Sequence, residues 1–159
     1  MDFIKRWIDE QLGSEVLICD PYFKFDNIDF VRDLSFHKSG LEFEILTCAS
    51  DESTGDLESL YGSAWARIAH VQPPPLRAVH VTYEGDRSVS PIHDRWLFCG
   101  QAGLRIGTSV GSFGISRISE ISTVTEVEAQ AIRSALQPFV DLRERTLEGR
   151  RLKYKVVQW

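Results

Sequence analysis

The chain has 159 residues, 43% of them hydrophobic, and a formal net charge of −5 at pH 7. That length suits one domain with a real core, and the composition excludes wholesale disorder. A protein that grips nucleic acid over a wide surface is usually basic, so the acidic balance argues against such a surface and leaves room only for a small basic pocket.

In chain order, Phe3, Ile4, Trp7, Ile8 and Leu12 fall at helical spacing, which predicts a helix over 2–12 with Asp2 as its cap and Gly13 as its stop. Asp9, Glu10 and Gln11 deny this segment the apolar core of a signal peptide. Glu15–Cys19 reads as a buried strand halted at Asp20-Pro21-Tyr22. A second helix is predicted over 27–37 from Ile28, Phe30, Val31 and Leu34, and a strand over 41–46 with Leu41, Phe43 and Ile45 on one face. After a polar turn at 49–56, Leu57, Leu60, Tyr61, Trp65 and Ile68 mark a third helix, ended by Pro73-Pro74-Pro75.

Strands follow over 77–83 and 92–99, joined by a turn over 84–91, and Gly100 to Gly103 makes a hairpin into 104–106. Residues 107–118 are rich in Gly and Ser, and 120–124 reads as a short strand. The last helix is predicted from Glu126 to Glu148, capped by Thr125 and kinked at Pro138. This order indicates a layered α/β (mixed α+β) domain with a mixed sheet. Cys19, Cys48 and Cys99 form no Cys-x-x-Cys pair and read as buried reduced thiols in a cytoplasmic protein. No apolar run approaches the roughly 20 residues that span a bilayer.

The chemistry-bearing residues gather in four pieces. Alternation across 92–99 puts His93, Arg95 and Leu97 on one face, Asp94 and Trp96 on the other. Imidazole beside guanidinium suits a nucleophile or proton shuttle next to an anion holder. Gly107-Thr108-Ser109 offers a hydroxyl and backbone N–H groups near that face, and Ser119-Glu120 a carboxylate that could orient the imidazole. Asp20-Pro21-Tyr22 lies at the C-terminal end of the first strand, where α/β sheets hold ligands. The same residues also suit a local ion-pair knot and a plain strand terminator, and pattern alone leaves both readings open. His37, His70 and His80 lack an acidic partner at useful spacing and read as structural, while Trp7 and Trp65 fit helix faces in the core.

His93-x-Arg95, a Gly-x-Ser turn after the next strand and then Glu120 resemble the half-site of the phospholipase D superfamily. The ordered set is most similar to the C-terminal domain of MIT (microtubule interacting and trafficking) domain proteins. That similarity runs along nearly the whole chain: an opening helix, a strand ending in Asp20-Pro21-Tyr22, then Ile45-Leu46-Thr47, Ile92-His93-Asp94-Arg95 and, loosely, Ile106 to Gly111. The resemblance implies a single phospholipase-D-like layered domain over residues 1–159. Three departures stand out: Arg95 replaces the superfamily's lysine, Gly100 stands where it has aspartate, and the motif occurs once.

Phosphodiester transfer in that superfamily resembles a two-histidine mechanism, so one copy per chain works only when two chains pair. The relatives implied by the resemblance are non-catalytic, membrane-binding homodimers. On that basis His93 and Arg95 hold an anionic phosphate-bearing ligand, such as a membrane lipid, and Ser109 and the turn amides around Thr108 donate to it. Asp94 and Glu120 fix the orientation, and Asp20 and Tyr22 complete the ligand-binding set. A protein partner or a fused domain is the other expected occupant, and nucleic acid fits less well. No metal or cofactor is called for. The alternative is an active, metal-independent phosphodiesterase in which His93, Arg95 and Glu120 are catalytic and His93 comes from both chains.

The tail gathers Arg143, Arg145, Arg150, Arg151, Lys153 and Lys155 before Trp159. It reads either as a basic patch for anionic lipid or nucleic acid, or as a solvated helix end followed by a strand whose Leu152, Tyr154 and Val156 pack inward.

Overall fold

Strand β1, Glu15–Cys19, has four of its five side chains buried, because helices cover both faces of the sheet it centres. The computed structural model describes residues 1–48, 56–86, 88–110 and 120–159. Beside β1 lie β2 (Glu42–Thr47) and β3 (Leu76–Tyr83), all parallel. On the other side of β1 the antiparallel strands β4 (Trp96–Cys99), β5 (Ala102–Ile106) and β6 (Ile121–Val124) follow in turn. Beyond β3 come β8 (Arg150–Gln158) and the two-residue β7 (Thr146–Leu147). The result is an eight-stranded mixed sheet ordered β6-β5-β4-β1-β2-β3-β8-β7.

Helices α1 (Asp2–Asp9), α2 (Ile28–His37) and α3 (Leu57–Ile68) cover one face and α4 (Glu126–Val140) the other. Ile4, Ile8, Val31, Leu34, Tyr61 and Trp65 from the first three helices meet Val16, Ile18, Phe43, Ile45 and Leu97. On the other face Ala129, Ile132, Leu136 and Val140 meet Leu17, Leu46, Val79 and Phe98. The chain is thus a mixed α+β layered domain, as its element order indicates. His37 pairs with Asp9 at 2.8 Å, and buried His80 lies 3.2 Å from the Tyr61 hydroxyl. His37 therefore does have an acidic partner, 28 residues away in sequence. No described helix is long and apolar enough to cross a membrane.

Four expectations need correction. The helix over 2–12 stops at Asp9, with Asp2 inside its first turn and Met1 at the cap position. The strand predicted over 92–99 begins only at Trp96, because β1 offers partners only for Trp96 to Cys99 before Asp20-Pro21 turns away. The last helix ends at Val140, not Glu148: Leu142 turns to φ +60°, and the Arg77 guanidinium caps the Val140 carbonyl at 2.8 Å. Glu148 (φ +53°) and Gly149 (φ +75°) then form a two-residue turn of the type that suits the right-handed twist of a hairpin. In β8 Leu152 is buried and Tyr154 half-buried, whereas Val156 is exposed and Val157 takes its place in the core. Residues 49–55 of the turn expected at 49–56 and residues 111–118 of the loop expected at 107–118 lie outside the described residues.

Thr125 caps α4 as expected, with Thr125 and Glu128 forming a reciprocal capping box. The Thr125 hydrogen bonds hold the Glu128 carboxyl below its ordinary value. That contribution is therefore present at neutral pH and disappears as pH falls through the lowered value. Thr125→Ala should lower unfolding stability by about 1 kcal/mol in urea titration. An unchanged midpoint would show that packing alone holds the start of α4.

Candidate functional site

Asp20 is 1% exposed at the end of β1, and its carboxylate is engaged on every side. Oδ2 accepts from the Ser109 hydroxyl at 2.7 Å and from the Val110 amide at 2.8 Å. Oδ1 accepts from the Tyr22 amide at 3.0 Å and lies 3.7 Å from Arg95 Nε. A buried carboxylate needs this much compensation, and the compensation here ties together three segments distant in sequence. Asp20 is thus an internal organiser and not a ligand-facing group. Tyr22 is exposed, and its ring lies under the Arg95 guanidinium, 5.0 Å from centroid to carbon.

Arg95 is held in this way from below and behind, and it opens onto a cleft of about 340 Å³. The cleft is lined by His93, Asp94, Arg95, Arg105, Glu120 and Ser122, together with Ile106 and Gly107. Of the residues singled out in the sequence, His93, Asp94, Arg95 and Glu120 come together here. Ser109 and half-buried Thr108 do not line the cleft, and the Ser109 hydroxyl proton is directed at Asp20. Ser119 lies outside the described residues. Gly107 brings the edge strand in: its amide donates to the Glu120 carbonyl at 2.8 Å, and a Cβ there would sit 3.0 Å from that same oxygen. Any larger residue at 107 would push the Glu120 side of the cleft away.

Two of the expected roles change. Asp94 was expected to orient the imidazole, but its carboxylate pairs with Arg105 at 3.9 Å, with both groups more than 60% exposed. Solvent screens such a pair, so it steers Arg105 only loosely. Exposed His93 makes no hydrogen bond among the described residues, so Glu120 shares the cleft with it without holding it.

Arg105 is the residue the sequence reading missed. Its guanidinium lies over the Trp96 ring at 5.9 Å and faces the cleft. The signal was present, because a two-residue Gly100-Gln101 turn sets Cys99 opposite Ala102 and therefore Trp96 opposite Arg105.

No protein-family description and no curated protein matches this chain. Among solved structures it is similar to TrmBL2, described as an archaeal chromatin protein with a novel mode of DNA binding. The TM-score is 0.47 at 12% identity, covering 91% of this chain and 50% of that one. The chain thus spans half the length of that protein, and a likeness this distant assigns no function.

Position 100 also has a structural explanation. Gly100 sits in the β4–β5 turn at φ +58°, against the Gly13 backbone, with its carbonyl accepting from Arg133 at 2.5 Å. Five residues along an extended chain place it about 16 Å from Arg95. Glycine there answers the turn, and no side chain at that position could reach the cleft.

Beneath the His93 segment lie two thiols. Cys19 Sγ is 3.7 Å from the Asp94 carbonyl and Cys48 Sγ is 4.0 Å from the Ile92 carbonyl. Burial pushes both thiols above the ordinary cysteine value, which disfavours a thiolate nucleophile at either position. Among the described residues, no group of three His, Cys, Asp or Glu side chains could hold a metal ion.

Proposed function

We propose that this chain is a phospholipase-D-like binding domain, without turnover of its own, that holds an anionic phosphate-bearing group in the cleft and acts as a homodimer. The observation that carries this reading is the pair Arg95 and Arg105 beside His93, with Arg95 fixed by buried Asp20 and by the Tyr22 ring. A planar guanidinium already held in place loses little entropy on gripping a phosphate oxygen. Arg95 Nε is buried against Asp20 at 3.7 Å, which fixes the guanidinium where it borders the cleft. The reading of no turnover rests on the sequence, in which the His-x-Arg motif occurs once and arginine stands in place of the superfamily's lysine. The MIT-type resemblance points the same way, with a lipid headgroup as the phosphate source.

The test is a proton NMR titration of the full chain with dimethyl phosphate, reading the His93 ring resonances. Saturable shifts are expected, and Arg105→Glu should weaken binding about tenfold or more, the effect of reversing one charged hydrogen-bond donor. Absence of any shift at His93 would overturn the binding reading. Hydrolysis of bis(p-nitrophenyl) phosphate that vanishes in His93→Ala would replace it with an enzyme assembled from two chains. Light scattering on the eluted protein checks the dimer.

A further inference from the structure

We propose that the outer edge of β8, at the end of the sheet opposite the cleft, is a docking site for an acidic extended segment of another protein, which joins the sheet as an added strand. The backbone directions along β8 are fixed by three hydrogen bonds. Trp159 N–H donates to the Leu76 carbonyl at 2.9 Å and Glu84 N–H to the Arg151 carbonyl at 2.9 Å, so odd-numbered residues face β3. Leu152 N–H donates outward to the Arg145 carbonyl at 2.9 Å, so even-numbered residues face away from β3.

Strand β7 pairs only with Arg150 and Arg151. The outward N–H and C=O groups of Tyr154, Val156 and Gln158 have no hydrogen-bond partner among the described residues. A row of unpaired donors and acceptors at two-residue spacing is a template for another strand.

Charge decides what kind of strand. Arg151, Lys153 and Lys155 alternate along one face of β8 and all are exposed. Arg145 joins Arg151 and Lys153 around a broad depression beside them, where the one carboxylate among the described lining residues, Glu84, is already paired with Arg151 at 3.8 Å. This is a local cationic strip on a chain whose net charge is −5. A second copy pairing edge to edge would bring its lysines against these lysines, which penalises self-association. An acidic segment gains from the same residues, and exposed Val156 offers an apolar contact on the other face. Nucleic acid would answer to the charge but would leave the strand edge unused.

The test uses the full chain and two labelled octapeptides, one alternating Glu and Val and its twin alternating Lys and Val. Fluorescence anisotropy should show the Glu-Val peptide binding about tenfold tighter at low salt, with the preference shrinking as salt is raised. Hydrogen exchange at the amides of Tyr154, Val156 and Gln158 should slow only in its presence. The double change Lys153→Glu and Lys155→Glu should reverse the preference between peptides. Val156→Pro removes one outward donor that the fold does not use, so it should cut binding about tenfold with the thermal midpoint little changed. Equal affinity for the two peptides, or unchanged exchange at those amides, would overturn the proposal. So would protection that grows with protein concentration alone, which would make a second copy the occupant. Displacement of the peptide by a DNA oligonucleotide without protection of the amides would assign the strip to nucleic acid instead.

Discussion

Asp20→Ala should cost about 3 kcal/mol of unfolding stability and abolish binding of dimethyl phosphate in the cleft. The carboxylate accepts three hydrogen bonds and faces the Arg95 guanidinium from a site 1% exposed to solvent. Removing it strands the Val110 amide, the Ser109 hydroxyl and a partly buried cation together, and orphaned polar groups account for most of the expected loss. The loop at 109–110 and Arg95 then lose their common anchor, so the cleft loses its geometry even where the chain still folds. Asp20→Asn separates the two effects. It retains one acceptor oxygen but turns its NH2 group either toward both donors from the loop or toward Arg95 and the Tyr22 amide, so it should lose less stability than the alanine variant while still binding phosphate poorly. Urea unfolding with an unchanged m-value, run beside the NMR titration, checks both. A loss under about 1 kcal/mol for Asp20→Ala would mean that water replaces the carboxylate and that the anchor is dispensable.

The parts of the fold that could be read from sequence are those with a strong local period. The parallel strands β1 to β3 carry Val, Leu, Ile and Phe at two-residue spacing or in unbroken runs, and α2 and α3 repeat Phe, Val, Leu, Tyr and Trp at helical spacing. The misreadings occurred where the deciding contact is tertiary. His93 to Arg95 alternate like a strand, yet a strand runs only as far as its neighbour, and β1 ends opposite Trp96. Residues 141–148 contain good helix formers, but Leu142 and the Glu148-Gly149 turn take positive φ angles that close a hairpin. At the site, the grouping of His93, Arg95 and Glu120 was legible. The role of Asp20 was not, since it depends on a hydrogen bond to Ser109, 89 residues away.

Deleting residues 150–159 should abolish the cooperatively folded state, which would be seen as loss of the near-ultraviolet circular dichroism signal and of a sigmoidal urea transition. Were this tail a solvated basic patch, its removal would be nearly neutral. In the structure β8 instead pairs with β3 over seven consecutive positions, from Arg77 opposite Gln158 to Tyr83 opposite Leu152. Its removal would turn β3, the last of the three parallel strands, into a bare edge with Val79 and Val81 losing their neighbours. It would also take away Val157, 2% exposed against fully buried Ala78, and Trp159, which meets the rings of Tyr61 at 6.2 Å and Trp65 at 6.1 Å. Losing several buried side chains together exceeds the roughly 5–15 kcal/mol that holds a domain folded, whereas one such truncation alone costs about 2–5 kcal/mol.

Val157→Asp makes the same point with one residue. It places an unpaired carboxylate beside Ala78 and should destabilise the chain by about 3 kcal/mol or more, while Val156→Asp, on the exposed neighbour, should change stability by less than about 0.5 kcal/mol. The two variants differ by one position along β8, so a large difference between them identifies which face of this strand the core uses. Equal effects would mean that β8 is not seated in the register described.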